Sequence, residues 1–165
     1  MRAPSRLKSH SGKKEHVVAV SGGFDPLHVG HIRMFKEAAK LGKLIVIVNN
    51  DNWLCAKKGF IFMPEAERKE LIESLGCVHS VMLTAHAPRD PDRSVCRELR
   101  LIKPDIFANG GDRKSVHDIP EALLCKTLCI RMKFNIGEGG KIQSSSWLTN
   151  AFLKKNKFAK RTDKR

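Results

Sequence analysis

Leu44-Ile45-Val46-Ile47-Val48 is apolar at all five positions and runs directly into Asn49-Asn50-Asp51. A run this short, with no polar alternation, is a strand covered on both faces, as in a parallel sheet flanked by helices. Val17-Val18-Ala19-Val20, ended by Gly22-Gly23, is an earlier strand of the same kind. Val78, Val81, Met82 and Leu83 mark a third, and Ile106-Phe107-Ala108 a fourth. The fifth, Ile130 to Phe134, alternates apolar residues with Arg131 and Lys133, the pattern of an edge strand with one wet face.

Helical spacing fills the intervals. Ile32, Phe35 and Ala39 recur between His31 and Leu41, with Gly42 at the expected C-cap. Pro64 opens a second helix, Glu65 and Glu67 suit its positive dipole end, and Gly76 stops it. Residues 94–102 and 120–128 give two more. Ser144-Ser145-Ser146 caps a last one running through Trp147, Leu148, Ala151 and Phe152. Strands alternating with helices predict an α/β fold with a doubly wound, five-stranded parallel sheet in a single domain. Ligands of such sheets bind beyond the carboxyl ends of the strands, so the loops after the strands are where chemistry is expected.

The loop after the first strand is Ser21-Gly22-Gly23-Phe24-Asp25-Pro26-Leu27-His28-Val29-Gly30-His31. Its glycines permit close approach of backbone to a ligand. His28 and His31, three apart at a helix start, can face one site, where backbone N–H groups also attract anions. Together they would stabilise charge on a phosphoryl oxygen during in-line displacement. A zinc site or purely structural histidines are the alternatives, and for zinc further ligands at metal spacing are missing nearby. After the second strand, Lys57-Lys58-Gly59 reads as a flexible loop carrying mobile point charges for phosphate, or as a solvated surface pair. Gly110-Gly111-Asp112-Arg113 follows the fourth strand as a ligand loop or a tight turn. Ser144, Ser145 and Ser146 combine capping with phosphate binding.

The segment G-G-F-D-P-L-H-V-G-H resembles the His-x-Gly-His signature of the cytidylyltransferase-like nucleotidyltransferases, and the resemblance extends over residues 17–153. Lys57-Lys58-Gly59 is similar to the family's phosphate-binding lysine loop. Lys103-Pro104-Asp105 with Gly110-Gly111-Asp112 is similar to heptose-1-phosphate adenylyltransferase-like members, and Ile142 to Ser146 to the family's nucleotide loop. The run Gly137 to Lys141 departs from glycerol-3-phosphate cytidylyltransferases, which carry R-T-x-G there. The resemblance implies a Rossmann-like fold and transfer of a nucleoside monophosphate from CTP or ATP to a sugar phosphate or alcohol phosphate, with release of pyrophosphate. It implies Mg²⁺ brought with the triphosphate, no separate protein metal site, and a homodimer as is common in the family. By this likeness His28, His31 and Lys58 are catalytic. Gly22, Gly23, Phe24, Asp25, Gly30, Lys57, Gly111, Asp112, Ser144, Ser145 and Ser146 belong to the nucleotide side, and Asp51, Arg68 and Arg113 bind substrate, with ordering of the lysine loop or a solvated helix charge as the other readings of Arg68.

Charge bears on the competing function. The chain carries 31 Lys+Arg against 17 Asp+Glu, a net of +14. Residues 1–16 hold five basic and one acidic side chain, and residues 150–165 seven and one. The excess therefore lies mainly in two tails, 1–16 and 154–165, flanking a domain at 17–153. Such tails contact polyanions, and a basic nucleic-acid-binding protein on the same scaffold is the alternative function. Against it, aromatics are only 6% with no Tyr, which leaves few stacking platforms for bases. The longest apolar run, of five residues, is far below the roughly 20 of a membrane span. Five cysteines without a C-x-x-C pair point to a reducing, cytoplasmic setting. The Ser/Arg-containing start, free of acids until Glu15, reads as a disordered tail, with a transit peptide as the alternative.

Overall fold

A computed structural model of the chain describes residues 15–110, 120–137 and 143–152. Strand β1 (Val17–Gly22) leads into helix α1 (Val29–Ala39), β2 (Lys43–Val48), α2 (Asp51–Lys58), α3 (Glu65–Glu73) and β3 (Ser80–Leu83). The chain continues through α4 (Cys96–Ile102), β4 (Ile106–Gly110), α5 (Ala122–Thr127) and β5 (Arg131–Ile136). A last helix, α6, spans residues 145–152. All strand pairs are parallel and the order is β3-β2-β1-β4-β5. From β1 the chain winds outward to β3, then crosses back to β4 on the other side of β1. Strand order thus reverses between β1 and β4, where a doubly wound sheet opens a crevice. The fold is α/β and Rossmann-like, as expected.

The two-sided burial predicted for the central strands is observed. Val18, Val20, Val46, Val48 and Ile106 face α1 and α3, packing with Phe35, Ala38 and Ile72. Ala19, Ile47 and Phe107 face the other way, against Val95 at the cap of α4, Leu99 of α4 and Cys125 of α5. Alternate residues of one strand thus feed two separate apolar layers. Each fully buried Val, Leu, Ile or Phe contributes about 1.5–3 kcal/mol. β5 alternates exposed and half-buried residues, in keeping with its edge position.

Two local expectations are corrected. Residues 51–58 form helix α2 rather than a flexible lysine loop. Asn50 caps it, its Oδ1 accepting from the Trp53 N–H at 3.0 Å, and Trp53 and Leu54 are buried beneath it. Gly59 ends it in the left-handed conformation at φ 78°. Gly42 is not the C-cap of α1, which ends at Lys40. It adopts φ 151°, and a Cβ there would also run into the His16 carbonyl oxygen, so the position takes glycine. Of the N-terminal tail, Glu15 and His16 fall among the described residues: His16 O accepts from Lys43 N at 2.8 Å, and Glu15 pairs with Lys43 at 3.6 Å. Residues 1–14 and the tail 154–165 lie outside the described residues. No described helix is long and apolar enough to cross a membrane. All five cysteines are free thiols, and burial, with Glu121 and Cys96 nearby, pushes Cys125 up to about 11.

Candidate functional site

The chain leaves β1 on the active face of the sheet and turns through Phe24, whose φ of 50° aims its buried ring back under the loop. That ring meets the His31 imidazole edge-on at 4.9 Å and Phe35 at 5.1 Å. A Cβ at Gly22 would lie 2.8 Å from the Phe24 ring, and one at Gly23 would lie 2.9 Å from Leu54. These glycines thus have a packing reason of their own, because side chains of the protein occupy the space beside them. Gly30 behaves alike: its missing side chain makes room for the His28 ring, 3.0 Å away.

His28 and His31 close the start of α1 on each other. His28 Nδ1 accepts from the Gly30 N–H at 3.2 Å, and His31 Nδ1 accepts from the His28 N–H at 3.3 Å. The rings stack with centroids 3.6 Å apart. An Nδ1 that accepts a hydrogen bond carries no proton, so each neutral ring holds its proton on Nε2. Burial, then the neighbouring His28 and Lys58 charges, push His31 down to about 3. Burial also lowers His28. The pair is therefore neutral at physiological pH and presents two Nε2–H donors.

A buried frame holds the facing segment. Asp25 is fully buried, and its carboxylate accepts from Phe62 N at 3.1 Å and Met63 N at 2.7 Å. Lys58 Nζ donates to the Asp25 carbonyl at 2.7 Å and lies 4.0 Å from its carboxylate. Burial lowers the Lys58 pKa, partly offset by Asp25. Lys57, on the next helical position, points elsewhere, with its ammonium 4.5 Å over the Trp53 ring. The adjacent lysines therefore divide their work, one toward the histidines and one over the indole.

Arg68, expected to bind substrate, is instead fully buried. Its Nε donates to Met63 O at 2.9 Å, its Nη1 to Gly23 O and Asn49 O at 2.7 Å each, and its Nη2 to Asp51 at 2.7 Å. It ties the exits of β1 and β2 to the start of α3. Asp51 serves as its carboxylate partner, and Asp25 pins backbone. Arg68, fully buried with its donors spent inside the protein, is thus a loop-ordering residue rather than a direct substrate contact, while Asp51, 29% exposed at its side chain, is its carboxylate partner.

Across the histidines, Ser145 Oγ donates to Pro26 O at 3.0 Å, joining the serine turn to the β1 loop. Ser144 Oγ caps α6 by accepting from Trp147 N at 3.1 Å, while Ser146 is exposed. Gly111, Asp112, Arg113 and Lys141 lie outside the described residues. Sequence reasoning missed a buried polar chain beyond β2 and β3. Asn50 N donates to Thr84 Oγ1 at 3.0 Å, which sits 2.8 Å from His86 Nδ1, and His86 Nε2 sits 3.1 Å from Ser94 O. Asn50 and Asn52 both donate to His86 O, and the Trp53 indole donates to Arg93 O. The available signal was a Thr and a His just past a strand end.

A family model described as cytidylyltransferase-like matches residues 19–136, most of the chain and all of the site except the serine turn. The chain belongs to the cytidylyltransferase-like family. This is a family of nucleotidyltransferases, in line with the resemblance drawn from the His-x-Gly-His segment. The chain is 38% identical over 113 residues to the bifunctional protein HldE of Hydrogenovibrio crunogenus, covering 67% of this chain and 22% of that protein. It is 34% identical over 105 residues to the FAD synthase of Pyrococcus abyssi, covering 62% and 68%. Among solved structures, the lipopolysaccharide core biosynthesis protein from Thermoplasma volcanium matches with a TM-score of 0.58 and 29% identity, covering 76% of this chain and 99% of that one. The chain spans about a fifth to a quarter of the HldE proteins it matches.

Proposed function

We propose that this member of the family transfers a nucleoside monophosphate from ATP or CTP to a phosphorylated small molecule. An acceptor phosphate oxygen attacks the α-phosphorus. A new P–O bond forms as the bond from the α-phosphorus to the bridging oxygen breaks, and pyrophosphate leaves with that electron pair. The observation that carries this reading is the stacked, neutral pair His28 and His31 at the start of α1, each with its Nδ1 spent on the helix cap and its Nε2–H left to donate. Such fixed donors stabilise charge gathering on the α-phosphate oxygens. Lys58 exchanges its bond to the Asp25 carbonyl for a phosphate oxygen, and the serine turn with Gly30 faces the nucleotide.

Mg²⁺ would come with the triphosphate and help neutralise its charge. Both carboxylate oxygens of buried Asp25 are committed to Phe62 N and Met63 N, whereas Asp51 keeps a partly exposed carboxylate. The FAD synthases among the relatives favour ATP as donor, since FAD contains an adenylyl group. A sugar phosphate or alcohol phosphate is the acceptor class first implied by the motifs.

The test is His28→Asn. Asparagine caps a helix as well as any residue, so α1 keeps its start while one donor to the phosphate is lost. Pyrophosphate release, assayed with ATP and CTP over a panel of phosphorylated acceptors, should fall by about 10²–10³ in kcat with the melting temperature little changed. Full activity in a folded variant would refute the role of the pair.

A further inference from the structure

Phe60, Ile61 and Phe62 are exposed by 40%, 38% and 50%, three large apolar side chains in a row between α2 and α3. Their backbone is nevertheless tightly held. Phe62 N and Met63 N are fixed by the Asp25 carboxylate and Met63 O by Arg68, both fully buried. A segment that only joined two helices would be polar and would not require a buried carboxylate and a buried guanidinium to hold it. The segment begins one residue after Lys58, whose ammonium lies near His31 and Asp25. Between them, a Cβ at Gly59 would meet nothing within 4 Å, so the space beside the lysine is open.

The sheet order gives this segment its side of the site. The serine turn follows β5 and reaches the β1 loop at Pro26 from the β4 side, while residues 59–63 follow β2 and lie on the opposite side. With the nucleotide on the serine-turn side, as proposed above, the 59–63 side is left for the acceptor. Gly59, Phe60, Ile61, Phe62 and Met63 have no side-chain oxygen or nitrogen. Their side chains offer no hydrogen bond to the hydroxyl groups of a sugar or of glycerol. Phenylalanine faces stack on planar rings, and Lys58 supplies positive charge for a phosphate at the near end.

Resting on the proposed nucleotidyl transfer, we propose that the acceptor is a phosphate monoester carrying a planar, apolar ring system, and that Phe60, Ile61 and Phe62 are the surface on which that ring lies. Fluorescence titration of the full chain with riboflavin 5′-phosphate, a planar fluorescent phosphate monoester, measures this directly. Glycerol 3-phosphate and mannose 1-phosphate, followed by calorimetry, are the comparators. A thermal-shift titration with ATP and CTP reports triphosphate binding in parallel. The expected result is binding of the planar ester at least tenfold tighter than of either comparator. Phe60→Ala with Phe62→Ala should weaken it at least tenfold while triphosphate binding and melting temperature stay put. Phe60→Leu with Phe62→Leu, which preserves apolar bulk but removes the ring faces, should give an intermediate loss.

Other outcomes overturn the proposal in distinguishable ways. Triphosphate binding with equal or tighter binding of the sugar or glycerol phosphate keeps the transferase reading and removes the planar acceptor. Absence of any triphosphate binding removes both. Conversion of a dimer to a monomer by the alanine pair, with acceptor binding unchanged, would make the triplet a contact between copies of the chain.

Discussion

Replacing Arg68 by methionine separates a buried strut from a substrate contact. Methionine keeps much of the apolar stem but deletes four hydrogen bonds, to Met63 O, Gly23 O, Asn49 O and Asp51. An unsatisfied buried carbonyl costs about 1–3 kcal/mol, and three are stranded here. Asp51 is 29% exposed at its side chain, so water replaces part of what it loses and its share is small. Against this stands relief from burying the guanidinium, which is several kcal/mol. The net expectation is a loss of about 3–5 kcal/mol, the range for breaking a buried charged pair. Total stabilities run about 5–15 kcal/mol, so the variant unfolds only if the parent lies near the lower end. Asp51→Asn, which leaves all three carbonyl bonds in place, is the milder companion, expected to lose about 1 kcal/mol. Urea unfolding followed by circular dichroism gives both numbers, and pyrophosphate release at low temperature gives the activity of whatever is folded. A change under about 1 kcal/mol in Arg68→Met, with acceptor binding selectively lost, would refute the strut and return Arg68 to the substrate.

Two further outcomes follow from the geometry. Folded His31 titrates near 3 against about 6.5 in the unfolded chain, so between those values the unfolded state binds more protons. Stability is therefore fully present above about pH 6.5 and falls as pH drops toward 3. His31→Asn, compared with the parent by urea unfolding at pH 7 and pH 5, should lose about 1–2 kcal/mol less over that interval; parallel losses would refute the assignment. Gly42→Ala should destabilise by well over 1 kcal/mol, since its φ and the His16 carbonyl both exclude a Cβ; an unshifted melting curve would show that the turn can rearrange.

The sheet was legible because its strands are short unbroken apolar runs, and both faces of Val18-Ala19-Val20 are buried as that pattern requires. The histidine pair was legible too, because a strand exit followed by H-x-G-H places both rings at one helix start. Helix α2 was not, because eight residues give periodicity little room and its asparagines read equally well as a turn. Nor could sequence tell which charges face inward. Arg68 sits in a helix with Glu65, Glu67, Lys69 and Glu70 and looks like one more solvated charge. Only the fold brings the carbonyls of Gly23, Asn49 and Met63 around it. The Thr84 to His86 chain escaped for the same reason, since its partners come from three separate segments.

On the proposed nucleotidyl transfer, the reciprocal histidine cap at the start of α1 also limits which nucleophiles the site could use. Each ring has spent its basic nitrogen on a backbone N–H, and the nitrogen left facing outward already carries a proton. These rings give hydrogen bonds but take no proton, so they cannot strip one from an alcohol. A hydroxyl arriving at the pair would find charge stabilisation and no base, whereas a phosphate arrives already ionised and needs none. Two candidates equal in size and fit would be sorted by their own acidity, a form of selectivity that requires no contact with the part of the molecule that differs. Capping a helix with its reacting groups thus fixes the ionisation state of what those groups can serve.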